Sequence, residues 1–272
     1  MSTLYDLIRN WTVFISSSVE IIGKNNFTRY TLTPSDLVNA SSMFFGILIC
    51  TAVAARNVSF EEKKLAWVIS LLNSFVMMIV GAVYLIAKAP EFPNLFTFGK
   101  ADSIEVFHSA TTNFTALACL WFAIANIFDL IFGFFCYRKH LGVLTAYIHH
   151  SVFIWLCLAG STGNGIFMTV RPFSSSFLLC LIEEFPTFLL ALGSIFPAFR
   201  TNYGFGISFF VLRIVYHAYF LTYAFYAGAE TPVLVLFLLT SILHINWFQN
   251  WLSKYGPLAS SKSAIKRTEF KS

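Results

Sequence analysis

The sequence predicts an all-α membrane protein with about seven transmembrane helices, and three observations carry that expectation. Of the 272 residues, 57% are hydrophobic and only 11% are charged, well below the roughly one quarter charged of a soluble globular domain. Seven stretches reach or nearly reach the roughly 20 mainly apolar residues that a helix needs to cross the hydrocarbon core. These stretches are long and continuous. An outer-membrane barrel would show short alternating segments, and a lone strand would leave its backbone groups unsatisfied in lipid.

The expected spans run over residues 37–55, 66–87, 115–136, 141–160, 174–197, 203–227 and 231–252. Helix ends are marked by Pro34-Ser35-Asp36, by the charged stretch from Arg56 to Lys64, by Pro90 and Pro93, and by Tyr137-Arg138-Lys139. Arg171-Pro172, Arg200-Thr201-Asn202 and Glu230-Thr231-Pro232 mark the later ones. Most connections are short, so neighbours in sequence are expected to pack antiparallel. The exception is 88–114, long enough for a re-entrant or surface helix. Residues 1–36 form an N-terminal segment in which Leu4, Leu7, Ile8, Trp11, Ile15, Val19 and Ile22 recur at helical spacing. Asp6, Arg9 and Glu20 interrupt any continuous apolar core, which suits an interfacial helix better than a signal peptide.

The formal charge of +5 is set between the apolar runs and in the tails, so no nucleic-acid partner is expected. Arg56, Lys63, Lys64, Arg138, Lys139, Arg200 and the tail residues Lys254, Lys262, Lys266, Arg267 and Lys271 fall on one side of a seven-span topology. Arg9, Lys24, Arg29, Lys88, Lys100 and Arg171 fall on the other. The heavier side faces the cytoplasm, which places the C-terminus there and the N-terminus in the lumen or outside. Sequons at Asn10 and Asn26 lie on the external side, whereas Asn57-Val-Ser lies opposite. The five cysteines all sit in apolar runs without a CxxC spacing, and read as small hydrophobes.

An ionisable side chain inside the bilayer calls for a partner, a water-filled cavity or a task. Asp129, His149, His150, Glu184, Arg213 and His244, with Asn246 nearby, are spread over five spans, and turning them inward around one cavity is the least costly arrangement. Glu183 reads as secondary to Glu184. Adjacent residues on a helix point about 100° apart. One imidazole of the His149 and His150 pair can therefore face a cavity while the other bonds a neighbouring helix. That geometry disfavours a metal clamp, and no metal site is expected. Two readings of the pair stay open: a general base or acyl acceptor oriented by Asp129 or Glu184, or a hydrogen-bonded link between helices. Arg213 and His217, four apart on one face, can anchor a lipid phosphate or carboxylate, or Arg213 can pair with Glu184 or Asp129. Pro186 interrupts the fifth span. Trp247, Trp251 and Tyr255 read as an aromatic belt, with Asn246 and Asn250 on another face.

Glu61-Glu62-Lys63-Lys64-Leu65-Ala66-Trp67, Phe128-Asp129-Leu130, Ile148-His149-His150, Glu184-Phe185-Pro186-Thr187, Phe209-Phe210-Val211-Leu212-Arg213 and Ile245-Asn246-Trp247-Phe248 occur in this order. In that order and spacing the chain resembles the TLC-domain family, which includes the ceramide synthases and translocation-associated membrane proteins. The resemblance implies a TLC domain over 61–254, with six helices around a central cavity. It leaves the first transmembrane helix at 37–55 outside that core, and a basic cytoplasmic tail at 255–272. It also implies the endoplasmic reticulum. In ceramide synthases the matching histidine pair is required for transfer of a fatty acyl group from acyl-coenzyme A. By resemblance His149 and His150, with Asp129, are the catalytic candidates, and Glu184, Arg213, His217 and Asn246 line or brace the cavity.

Where ceramide synthases continue into a second His-Asp and further acids, this chain reads Ser151-Val-Phe-Ile-Trp-Leu, with no acid until Glu183. That departure places it nearer the TLC-domain proteins tied to lipid homeostasis, sensing or trafficking. The expected partners are a membrane lipid or fatty acyl chain and a second copy of the chain. No cofactor is expected beyond acyl-coenzyme A as co-substrate in the enzymatic alternative. A receptor or channel lacks support: there is no Asp-Arg-Tyr, no Asn-Pro-x-x-Tyr and no selectivity-filter sequence.

Overall fold

A computed structural model describes residues 30–58, 60–88, 111–161, 174–226, 228–229 and 231–256. The interfacial helix expected before Tyr30, the sequons at Asn10 and Asn26, most of 88–114 and nearly all of the basic tail lie outside these residues. Among the described residues every regular element is helical.

Helix α1 runs Pro34–Asn57. Thr33 donates its N–H to Asp36 Oδ2 (2.8 Å) and accepts the Asp36 N–H at Oγ1 (3.3 Å), a reciprocal cap made firmer by proline in the first turn. A short α2 (Glu62–Leu65) leads into α3 (Val68–Lys88). Helix α4, Asn113–Cys136, opens on the same kind of box between Thr112 and Thr115. After a 3₁₀ turn at Arg138–His140, a π-helix over Val143–Ile148 passes directly into α5, His149–Ser161.

The next expected span is also broken. Helix α6 (Ser174–Cys180) is separated by a 3₁₀ turn, Leu181–Glu183, from α7 (Glu184–Ile195). The break puts Pro186 in the first turn of α7, where its missing N–H is tolerated. Helix α8 (Asn202–Phe209) continues through a second π-helix, Phe210–Tyr216, into α9 (His217–Tyr226), and α10 spans Thr231–Tyr255.

Among the described residues, six helical stretches are long and apolar enough to cross a membrane: Pro34–Asn57, Glu62–Lys88, Asn113–Cys136, Ser174–Ile195, Asn202–Tyr226 and Val233–Tyr255. The chain is thus built as an integral, multi-pass membrane protein. The fourth expected span differs. There the π-helix Val143–Ile148 runs directly into α5, His149–Ser161, and the apolar stretch Ala146–Leu158 lies across that junction.

Helix α4 is the axis of the bundle. Two-thirds (67%) of its most apolar stretch is buried, against 44% or less in the other five, and it packs against α1, α3, α5 and α6. Large apolar side chains such as Ile86 (73% exposed) and Phe135 (78%) point outward, as they do on a surface whose solvent is lipid. The aromatic belt reading of Trp251 is refined. Its indole donates to the Asn202 carbonyl (3.1 Å) and lies where a Cβ at Gly206 would overlap it, so it joins α10 to α8.

Helix α3 approaches the Leu181–Glu183 turn at backbone distance, since a Cβ on Gly81 would lie 2.8 Å from Leu181 Cβ and 2.9 Å from the Ile182 nitrogen. Gly81→Ala is therefore expected to destabilise by about 1–3 kcal/mol, the usual range for overpacking. It would appear as a lower melting temperature in detergent. Gly46→Ala, with open space at the same position, should leave the melting temperature unchanged or raise it.

Candidate functional site

Two cavities meet at His149. The larger, of about 350 Å³, is walled by α3, α4, α5, α7, α8, the π-helix Phe210–Tyr216 and α10, and its polar lining includes Asn73, Asn126, Asp129, His150, Glu184 and Arg213. The smaller, of about 70 Å³, lies against Glu183, His217 and His244. His149 borders both.

The π-helix before His149 widens the turn just ahead of the pair, a distortion found most often at functional sites. The two imidazoles stand 5.8 Å apart between ring centres and make no hydrogen bond to each other. His149 packs on Phe153 at 4.7 Å and makes no hydrogen bond to any described residue. His150 points Nδ1 toward Asp129 Oδ2 at 3.6 Å, beyond hydrogen-bond length. That nitrogen is sealed without a partner. Asp129 takes its hydrogen bond instead from the Tyr137 hydroxyl. Tyr137 reads in the sequence as a helix-end residue, yet it is 1% exposed. The chain turns back at Arg138, and the ring tucks under α4.

Arg213 sits in the second π-helix with every contact directed inward. Nε donates to the Glu183 carbonyl (2.9 Å), and Nη2 donates to Glu184 Oε1 (3.2 Å) and Thr187 Oγ1 (2.6 Å). Of the alternatives the sequence leaves open, the structure has Arg213 paired with Glu184. The broken helix supplies acceptors, for the Leu179 carbonyl also takes a hydrogen bond from Tyr216 (2.9 Å).

Glu183 is not secondary. It is 7% exposed and faces His217, whose Nδ1 lies 2.9 and 3.1 Å from its two oxygens. His217 Nε2 lies 3.1 Å from the Phe237 carbonyl, and His244 Nδ1 donates to the Arg213 carbonyl (2.9 Å). From sequence the choice between Glu183 and Glu184 turns on helical phase. The 3₁₀ turn resets that phase at Glu183, and nothing in the residue types announces it.

Asp129, His150 and Glu184 line the larger cavity, His217 and His244 the smaller, and His149 and Arg213 both. Asn246 lines neither. It is exposed and accepts from Asn250 Nδ2 (2.9 Å), because α10 turns Trp247 rather than Asn246 toward the larger cavity. Asn73 and Asn126 went unread, being neutral and scattered in apolar helices. Compared with known proteins, the chain matches no family model, no curated protein and no solved structure.

Removing one member of a buried ion pair strands the other, at about 3–5 kcal/mol. Arg213→Leu is expected to lower the melting temperature sharply. Adding Glu184→Gln to it should recover part of the loss, a non-additivity that a double-mutant cycle in detergent would measure.

Proposed function

We propose that this chain is a TLC-type membrane protein of the endoplasmic reticulum that binds and regulates a membrane lipid in the larger cavity, with His149 and His150 at its polar end. Seven helical crossings carry the fold. The fourth is the joined π and α segments of 6 and 13 residues, at most about 28 Å long at 1.5 Å per residue, close to the roughly 30 Å hydrocarbon core. The helices from Glu62 onward form the bundle around the cavity, and α1 lies outside it.

The observation that carries the reading is a cavity of lipid-site character among helices that cross a membrane. Apolar side chains form most of its wall, with Phe122, Leu190, Phe205 and Phe209 among them, and polar side chains such as Asn73, Asn126, Asp129 and the histidine pair are set into it, as in ligand sites generally. The state of those groups selects the headgroup. Arg213 is occupied by Glu184, Thr187 and the Glu183 carbonyl, so a phosphate would have to displace an existing ion pair. Asn73 uses its side-chain oxygen to accept from Trp121 (3.0 Å) and Asn126 uses its amide to donate to the Phe122 carbonyl (2.7 Å). Each keeps its other group for a ligand. An uncharged headgroup with hydroxyl or amide functions fits that inventory better than a phosphate.

A second reading, an acyl-coenzyme A-dependent N-acyltransferase like the ceramide synthases, is favoured by one observation: His149 keeps its ring free of hydrogen bonds beside both cavities. An imidazole in that state can accept an acyl group or a proton. The absence of acids from Ser151 to Ile182 weighs toward binding.

Mass spectrometry of lipids retained by the purified protein tests the two together. Binding predicts a defined lipid of uncharged headgroup, its occupancy lowered several-fold in Asn73→Leu or Asn126→Leu, with no acyl mass on the His149 peptide after incubation with acyl-coenzyme A. Acyl transfer by wild-type protein, lost in His149→Ala with the fold intact, would establish the enzymatic reading. A recovered lipid pool no different from bulk membrane would count against both.

Topology has its own test. Seven crossings and the basic C-terminal side predict that a C-terminal tag is digested by protease added to sealed microsomes, while an N-terminal tag is protected. Digestion of both tags would mean an even number of crossings.

A further inference from the structure

We propose that Glu183, His217 and His244 form a binding site for a divalent transition-metal ion, distinct from the His149 and His150 pair. The three side chains come from three separate elements: the 3₁₀ turn ahead of α7, the first residue of α9 and the middle of α10. All are buried. One ligand atom from each lies within 4.8 Å of the other two. Ligands about 2.0–2.2 Å from a tetrahedral zinc stand roughly 3.3 Å apart, so a closure of at most about 1.5 Å assembles the set. Two imidazoles and one carboxylate suit zinc, and with open positions they also suit iron(II).

The hydrogen bonding calls for a cation at this spot. Both nitrogens of His217 face oxygen acceptors: Nε2 the Phe237 carbonyl at 3.1 Å, Nδ1 the Glu183 carboxylate at 2.9 and 3.1 Å. With its hydrogen on Nε2, a neutral ring sets a lone pair against a carboxylate, and a positive charge must stand between them. A carbonyl acceptor on the remote nitrogen is the partner that metal-ligating histidines commonly take. The Arg213 carbonyl, 2.9 Å from His244 Nδ1, orients the second ring in the same manner and leaves its lone pair on Nε2.

A proton shared by His217 and Glu183 satisfies two of the three groups. It does not account for Nε2 of His244: the ring stands edge-on to His217 with centres 4.9 Å apart, its Nδ1 is spent on the Arg213 carbonyl, and Nε2, beside the smaller cavity, makes no hydrogen bond to any described residue. A metal accounts for all three. The charge balance points the same way: Arg213 pairs with the Glu184 carboxylate, while among the described residues the Glu183 carboxylate faces only the imidazoles of His217 and His244, and an unneutralised carboxylate invites a cation in a low-dielectric interior. The smaller cavity touches Glu183, His217, His244 and His149 together. That gives the ion room for a further ligand on the side of the histidine pair.

The test uses the full chain purified with a tag that contains no histidine. Elemental analysis is expected to find a stoichiometric transition metal. Chelation should remove it, zinc should raise the melting temperature of the stripped protein, and cobalt should give visible ligand-field bands. His217→Ala and His244→Ala should abolish those bands, while Asp129→Asn, across the larger cavity, should keep them. Wild-type protein that melts cooperatively yet holds no metal, shows no zinc-dependent shift and gives no cobalt bands would overturn the proposal, and so would bands that survive in His217→Ala. Because the wild-type readouts decide the matter, a variant that fails to fold leaves the test intact.

Discussion

Arg213 has to be neutralised inside an apolar bundle, and much of the polar architecture follows from how this is done. A guanidinium offers five donors in a fixed plane, so a single carboxylate does not satisfy it. Glu184, Thr187 and the Glu183 carbonyl share the task, and all three lie on the stretch where the fifth apolar run breaks. The Glu183 carbonyl lies where the 3₁₀ turn meets α7, and Arg213 Nε reaches it there. The 3₁₀ turn at Leu181–Glu183 and the π-helix around Arg213 are therefore two halves of one device: one presents a carbonyl, and the other turns a long cation toward it.

The same device orders what surrounds it. With Arg213 anchored, its own carbonyl holds His244 and its guanidinium lies over Phe209 at 5.6 Å, while Glu183 is left to face His217. Polar contacts then run from α7 through α8 and α9 to α10 without a break. On the other side of the larger cavity the unit is smaller: Asp129 with Tyr137, and His150 close by. The cavity lies between one network whose groups are largely satisfied and one that contains a sealed, unpartnered nitrogen. Such asymmetry leaves the uncommitted nitrogens with the histidine pair and the committed ones with the arginine.

The apolar runs, their order and most of the inward polar residues were legible in the sequence, because the bilayer writes them there as length and as exceptions to apolarity. Asp129, Arg213 and the histidines stand out for that reason. The turns that interrupt the runs were not legible. A π-helix or a 3₁₀ turn is chosen by packing and by where buried donors find acceptors, and Val143–Ile148 is as apolar as any helical stretch. The 3₁₀ turn brings Glu183 inward as well as Glu184, while on the unbroken α10 the cavity meets Trp247 and not its neighbour Asn246. Tyr137 was hidden by its place beside Arg138 and Lys139. Charged neighbours suggest an interface, while the ring itself reaches back beneath α4.

Neutral polar residues were the remaining blind spot, and they bear most directly on the kind of ligand. Asn73 and Asn126 cost too little in a membrane helix to stand out as exceptions, yet both line the cavity and each spends only one half of its amide on the described residues. Charged residues can fold such a bundle by pairing with one another, and here Arg213 and Glu184 do so. A ligand entering afterwards meets mainly groups that are not already committed. Reading a membrane cavity only through its charges thus overstates its preference for charged ligands. On the lipid-binding reading, the free halves of Asn73 and Asn126 and the His149 ring would suit a polar, uncharged headgroup at the end of an apolar chain.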